Sequence, residues 1–596
     1  MLNLFKNQCL LYSERPALSY RNQRYSYKEL NKQSNQLAHY LKSKAVRNGT
    51  SVALISENFL ERVISILALW KLGAAYVPID PNYPSTRINF IMNDSKVNFI
   101  ITDEEIYKKY FLNSSLTIIL LDSKNNPKNN FSKDDLNDTM GADTIAYIAY
   151  TSGSTGKPKG VPITHANISS IYEAWKQVYH LTYLDRHLQI ANFGFDVCSG
   201  DIIRALASGA QLVICPTEII LNPERLYKTL KKNAITIAEF TPIVLRKLIY
   251  YLKKEKLDLH FMRLLICGSD IWTLKEYKEA KTYLSADARL INSYGTTETT
   301  IDSTYFECDE TMSPFNELSL VPLGKPFPNT KIKILNEQLK ECPPEIQGEI
   351  YIGGSGVSQG YLNQPTLTKE KFISFSSTNG KNEIFYKSGD VGCYLMDGNI
   401  AFRGRADTQI KIMGISVDLL EVENILNSYP KIEKAIVLHH SSLDSTEQFL
   451  VAYIQCDKIF NIKDYITFLK KRLPFYAIPV VYFPRNTFPV SPHGKVDRLT
   501  LNHNLIYGEQ RSNEKNNFNE NKINIKFEGK LLFILNRLLN IPHLTENNFF
   551  YINRQGLIVQ FLKELKRDVS QVDATKLLSI YTVYDLHTFL EKNKVL

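Results

Sequence analysis

Residues 144–160 read TIAYIAYTSGSTGKPKG. Six apolar and aromatic residues, 145–150, run straight into a loop of hydroxyl–glycine pairs and two lysines separated by a proline. An apolar run this short, bounded by turn residues, reads as a buried strand. The loop behind it offers backbone N–H groups, hydroxyl donors and ammonium charge, the means by which a loop holds phosphate. It is not a Walker loop. That pattern needs Gly, four residues, then Gly-Lys-Ser/Thr, whereas Gly156-Lys157 is followed by Pro158 and Thr151 stands five before Gly156.

Working outward, similar short runs recur: LTIILL (116–121), QLVIC (211–215), ITIAEF (235–240) and RLLIC (263–267). Helical patterns lie between several of them, such as PIVLRKLIYYLKKE (242–255), and an earlier one, ELNKQSNQLAHYLKS, puts Leu30, Leu37, Ala38 and Leu41 on one face. Strand–helix alternation over some 400 residues implies α/β layers with mostly parallel sheet. In such sheets ligands bind beyond the strand ends, where 151–160 falls. From about Gly404 the texture becomes a shorter α+β pattern. GEQRSNEKNNFNENKINIK (508–526) is polar and Asn-rich and reads as a solvated linker. Helical periodicity then resumes to the end.

The chain's 596 residues, 44% hydrophobic and 22% charged, suffice for several cores. Its net charge of +10 is spread thinly, with no basic run dense enough for a nucleic-acid groove; it favours anionic ligands such as nucleotides. Eight scattered cysteines without a Cys-x-x-Cys pair argue against disulfides and structural zinc, and fit a reducing compartment. No signal-peptide pattern and no run of membrane-span length is present, so a cytoplasmic location without membrane attachment is expected.

Further motifs stand downstream: NSYGTTETT (292–300), GEIYIGGSGVSQGYLNQP (348–365), YKSGD (386–390), FRGRADTQIKIMG (402–414) and PHGKVDR (492–498). With YSYKEL (25–30), KLGAAYVPID (71–80) and LPFYAIP (473–479), they strongly resemble, in order and spacing, the serial motifs of nonribosomal peptide synthetase adenylation domains. These belong to the acyl/aryl-CoA ligase–luciferase superfamily. The resemblance covers residues 10–505. It implies an adenylation core at 1–406 with mostly parallel sheets and a mobile α+β subdomain at 407–505. A linker at 506–527 and a small all-α, carrier-like domain at 528–596 would complete the chain.

The resemblance also implies the reaction: an amino acid carboxylate attacks the α-phosphorus of ATP and pyrophosphate leaves. By the family pattern Thr151, Ser152, Gly153, Ser154, Thr155 and Gly156 wrap the β- and γ-phosphates, with Lys159 as charge partner. Thr297 touches the α-phosphate and Glu298 holds Mg²⁺. Asn292, Ser293 and Tyr294 flank the adenine. Asp390 accepts the ribose hydroxyls beside Arg405. Lys495 bridges the substrate carboxylate and the α-phosphate, and rotation about Asp407 carries it in and out.

For the substrate, GFDVCSGD (194–201) matches the segment that opens the amino acid pocket. Asp196 then binds the α-ammonium, while Val197, Gly200, Glu239, Leu265, Cys267, Ser293, Ile301 and Asp302 surround the side chain. Two buried carboxylates, Glu239 and Asp302, repel each other unless a cation lies between them. A substrate ammonium meets that need. The set is most similar to ornithine-activating pockets, with lysine second and arginine third.

Residues 529–596 resemble a peptidyl-carrier domain through NNFFYINRQGL (547–557) and YTVYDLHTFL (581–590). The family's paired glycines are Asn553 and Arg554 here, and Gly556 replaces the serine that accepts phosphopantetheine. No phosphopantetheine is expected on this chain, and the carrier thiol would belong to a separate protein or synthetase. A ligase for another acyl or aryl acid and a non-catalytic scaffold are the alternatives. The first fits Asp196 and the Glu239/Asp302 pair poorly; the second does not explain why Lys159, Glu298, Asp390 and Lys495 are all present.

Overall fold

The computed structural model describes residues 1–507, except 22, 122–126, 137–140, 153–157, 221, 309–318, 377–381, 408, 413, 442–447, 457–459 and 490–495. Beyond 507 it describes 535, 539, 541, 549 and 550. The chain divides into two compact units. The first comprises Met1–Tyr83, Ile88–Thr151 and Pro158–Asp407; the second is described chiefly from Gln409 to Tyr507.

In the first unit, TIAYIAYT forms β1 (Ile145–Thr151), which turns back antiparallel into β2 (Lys159–Thr164). The pair edges a six-stranded sheet whose other neighbours are parallel: Ala75–Pro78, Ser51–Ile55, Phe99–Thr102 and Thr117–Leu120. Thr164 caps α1 (His165–Tyr179) through a capping box with Asn167, which satisfies helix N–H groups that would otherwise lack partners. α1 and α2 (Asp196–Ser208) both carry buried residues on most of their turns.

Beside these helices lies a nine-stranded sheet. Its centre holds β3 (Ile237–Phe240), β4 (Leu264–Gly268) and β5 (Arg289–Tyr294), all parallel and in register Glu239 to Ile266 and Gly268 to Ser293. Parallel strands covered on both faces read as continuous apolar runs, as β4 does, whereas β3 carries Glu239 and β5 carries Asn292 and Ser293. The helix expected at 242–255 spans Pro242–Glu255, with proline in the first turn, where its missing N–H costs nothing.

A third, five-stranded sheet is antiparallel, in a core expected to be mostly parallel. In it β6 (Asn382–Tyr394) pairs with β7 (Ile400–Arg405), setting Asp390 opposite Arg405.

The second unit contains a hairpin, Gln409–Ile412 with Ile415–Asp418, and a sheet of Ile432–Ser441, Gln448–Cys456 and Val481–Pro484. Phe549–Phe550 adds a short antiparallel strand to Val481–Pro484, an extended segment inside a stretch expected to be helical. Among the described residues no helix is long and apolar enough to cross a membrane.

Candidate active site

β1 ends at Thr151, and Ser152 beyond it is buried. Residues 153–156 of the expected phosphate loop, Lys495, and the tail positions 553, 554 and 556 lie outside the described residues.

Lys159, at the start of β2, is 5% exposed. Its Nζ donates to the Tyr361 hydroxyl at 2.8 Å and lies 3.0 Å from Glu298 Oε1. The Tyr361 hydroxyl in turn donates to the same Oε1 at 2.8 Å. Burial pushes the Glu298 carboxyl upward, but the Lys159 ammonium and the Tyr361 hydrogen bond outweigh it, and the net shift is downward. Glu298 is thereby a buried, ionised carboxylate. It sits in a single 3₁₀ turn, Thr297–Thr299, followed by two residues with positive φ, Thr300 (63°) and Ile301 (74°). A β-branched residue there is a genuine outlier, and such strain persists where surrounding contacts impose it. The turn sets Thr297, Glu298, Ile301 and Asp302 within six residues of chain.

Asp390 is gripped from two sides. Arg405 Nη1 donates to its Oδ1 at 2.6 Å, and the Tyr294 hydroxyl donates to Oδ2 at 2.5 Å. Arg405 also donates from Nε and Nη2 to the two oxygens of Asp407, at 2.7 and 2.9 Å. Asn292 is held at both ends: Trp272 Nε1 donates to its Oδ1 and its Nδ2 donates to the Pro322 carbonyl, both at 2.8 Å.

Asp196 begins α2, whose partly positive N-terminal end favours a carboxylate. Val197 packs half-buried against the main core, and Gly200 follows one turn on. A Cβ at Gly200 would meet Ile301 Cδ1 at 3.3 Å and Trp175 Cη2 at 3.4 Å, so these two bound the space beside it.

Glu239 on β3 and Asp302 are 8% and 4% exposed. From sequence alone, the substrate's ammonium is the only cation expected between them. The structure corrects it: the protein carries one of its own. Arg204, on α2 and 1% exposed, donates from Nη2 to Glu239 Oε2 at 2.5 Å and to Asp201 Oδ1 at 2.7 Å. Its Nη1 lies 3.6 Å from Asp302 Oδ2, which accepts from Trp175 Nε1 at 2.8 Å. The Trp175 ring lies 4.7 Å from the guanidinium carbon. One cation does not balance three carboxylates. Burial, with the neighbouring carboxylates, still holds the Asp201 and Asp302 carboxyls well above their ordinary range, against the opposing pull of Arg204.

Leu265 and Cys267 do not join this cluster. Strand alternation turns them with Ala238 and Phe240 into the core on the other face of the sheet, while Ile237 and Ile266 share the face of Glu239. Ser293, in register with Gly268, is on the Glu239 side and hydrogen-bonds Asp302. Arg204, Asp201, Trp175 and Tyr361 were missed from sequence. Counting turns from Asp196 through Gly200 reaches Arg204, but an arginine within DIIRALAS gives no other sign of its partners.

A buried, acid-rich cluster around Arg204 thus adjoins a strained turn bearing an ionised glutamate, and Asp390 lies against the Tyr294 hydroxyl. A family model described as AMP-binding enzyme matches residues 5–362. Gramicidin S synthase 2 of Brevibacillus brevis is 37% identical over 499 residues, 84% of this chain and 11% of that protein. Tyrocidine synthase 3 of Brevibacillus parabrevis is 34% identical over 607 residues, 99% of this chain and 9% of that one. Among solved structures, NpsA-ThdA from Klebsiella oxytoca, an artificially fused adenylation–PCP di-domain, matches with a TM-score of 0.72 at 26% identity, covering 81% of this chain and 93% of its own. Holo-PA1221, which contains adenylation and PCP domains, has the same fold, with a TM-score of 0.80 at 22% identity over 99% of this chain and 96% of its own.

The chain belongs to the AMP-binding enzyme family, among the adenylation domains of nonribosomal peptide synthetases. It is an AMP-forming ligase, spanning about a tenth of the length of the two synthases it matches.

Proposed function

We propose that this chain activates a basic amino acid, ornithine before lysine or arginine, by converting it with ATP to the aminoacyl adenylate and pyrophosphate. The observation that carries this reading is the charge of the pocket. Asp201, Glu239 and Asp302 face the single guanidinium of Arg204, so three carboxylates less one cation leave two units of negative charge when all are ionised. A side-chain ammonium lowers that deficit, and a neutral side chain leaves it.

The chemistry at phosphorus asks the protein for position and charge compensation rather than for covalent catalysis. Asp390, with Tyr294 and Arg405 fixing its two oxygens, accepts the ribose hydroxyls; Asp196 takes the α-ammonium. Glu298 suits Mg²⁺: it is a buried, ionised carboxylate. That fits an ion held by one carboxylate and substrate phosphates, which would supply charge neutralisation on the departing pyrophosphate. The Lys159 ammonium, which lies 3.0 Å from Oε1 of Glu298, would turn toward phosphate when nucleotide is bound. Lys495 would meet the reacting carboxylate from the second unit, which we read as the mobile subdomain beyond Asp407.

The adenylate then passes to a carrier thiol outside residues 529–596, or to some other acceptor, because Gly556 offers no hydroxyl for phosphopantetheine. Exchange of labelled pyrophosphate into ATP, run over the twenty common amino acids and ornithine, tests the substrate. Preference for leucine or phenylalanine over every basic amino acid removes it. Incubation with a phosphopantetheinyl transferase tests the tail, which should gain no mass.

A further inference from the structure

We propose that Arg204 determines specificity by length: its buried guanidinium closes the far end of the side-chain pocket and limits the basic side chain to that of ornithine. The inference rests on the proposed function, since it assigns the Glu239/Asp302 region to the substrate's second ammonium.

Asp196, Gly200 and Arg204 lie at successive turns of α2. Eight residues of helix place the Arg204 backbone about 12 Å along the axis from that of Asp196. Helical side chains lean toward the N-terminus, so the long arginine side chain reaches back toward Asp196 and the intervening space shrinks. The guanidinium is not free to retreat. It is fixed by its hydrogen bonds to Asp201 on its own helix and Glu239 on β3, and by the Trp175 ring of α1. Arg204 Nη1 is buried without a hydrogen-bond partner among the described residues, and it lies 3.6 Å from Asp302 Oδ2. That is too long for a hydrogen bond.

A substrate ammonium must therefore share Glu239 and Asp302 with a cation already in place. Each added methylene pushes it nearer to Arg204, where like charges repel and the remaining carboxylate, Asp201, already accepts from Arg204 Nη2. Arginine fares worst, because its planar fork duplicates the group that already occupies the site.

Pyrophosphate exchange with ornithine, lysine and arginine reads this directly. The wild-type chain should show kcat/KM for ornithine at least 10-fold above lysine and higher still above arginine. Arg204→Ala removes the stop and leaves its carboxylate cradle, so lysine and arginine should gain at least 10-fold relative to ornithine. Millimolar guanidinium ion should reverse that gain. Arg204→Lys, a milder change, should move the lysine-to-ornithine ratio the same way by about 3-fold and serves if the alanine variant does not fold.

Equal losses for all three substrates in these variants would mean that Arg204 only holds the core together, and would overturn the inference. A wild-type preference for lysine or arginine over ornithine overturns it without any variant. A wild-type preference for a neutral amino acid instead removes the proposed function on which it rests.

Discussion

Glutamine in place of Glu239 preserves the size of the side chain and removes one unit of charge from the pocket. In the structure Glu239 Oε2 accepts from Arg204 Nη2 at 2.5 Å, and Glu239 is one of the groups that raise the Asp302 carboxyl. A substrate ammonium about 4 Å from the lost charge forfeits roughly 4 kcal/mol at the effective dielectric of a protein site. Compensation follows from the same geometry. With Glu239 neutral, Asp302 ionises more readily and recovers about half of the attraction. The expected net loss is about 2 kcal/mol, close to 30-fold in kcat/KM for ornithine. Norvaline, which has the same carbon chain without the terminal amine, should change by less than about 3-fold. Pyrophosphate exchange on both substrates measures the ratio. An equal loss for the two would refute the electrostatic argument and point to a disturbed fold.

The pocket's protons give a second expectation. Burial first, then neighbouring carboxylates, raise Asp201 and Asp302 to about 7. The groups facing them are Glu239, Arg204, Trp175, Ser293 and Tyr179, with His187, whose burial holds it neutral with a pKa near 3. Protons leave as pH rises through neutrality and negative charge grows, so KM for ornithine should fall between about pH 6 and 8 while that for norvaline stays flat. The sign for stability is opposite: a carboxyl raised in the folded state binds more protons there than in the unfolded chain. These two groups therefore destabilise the substrate-free protein as pH rises from about 4 to 7, visible as a declining contribution to Tm. Lys495→Ala should lower adenylate formation at least 100-fold with ATP affinity within about 3-fold, measured by single-turnover adenylate yield and nucleotide titration. Arg405→Ala takes a charge-assisted hydrogen bond from Asp390 and should raise KM for ATP about 10-fold, with the amino acid KM little changed.

Much of the first unit is legible because its signals are local. The strand and loop at 144–160 stand out by composition, and Pro242 marks the start of its helix within the sequence itself. The aspartate–arginine pair of β6 and β7 is legible only as two motifs; that they face each other depends on antiparallel register. Arg204 was hidden for a different reason. Its three partners lie 3, 35 and 98 residues away along the chain, and only the folded packing of α2 against β3 and the turn after β5 brings them to one point. Leu265 and Cys267 show the converse. A motif places them beside the substrate, but the period-two alternation of β4, locked in register with β3, sends both to the opposite face.

The claim at the centre is that surplus negative charge, buried and only partly offset by Arg204, selects a side-chain cation. Mass spectrometry tests it in one vessel: the full chain, ATP and Mg²⁺ are mixed with ornithine and the twenty common amino acids at equal concentration, and the adenylate formed is identified by its mass. Ornithyl-AMP as the dominant product is the predicted result. An adenylate of an uncharged amino acid in its place would contradict the account.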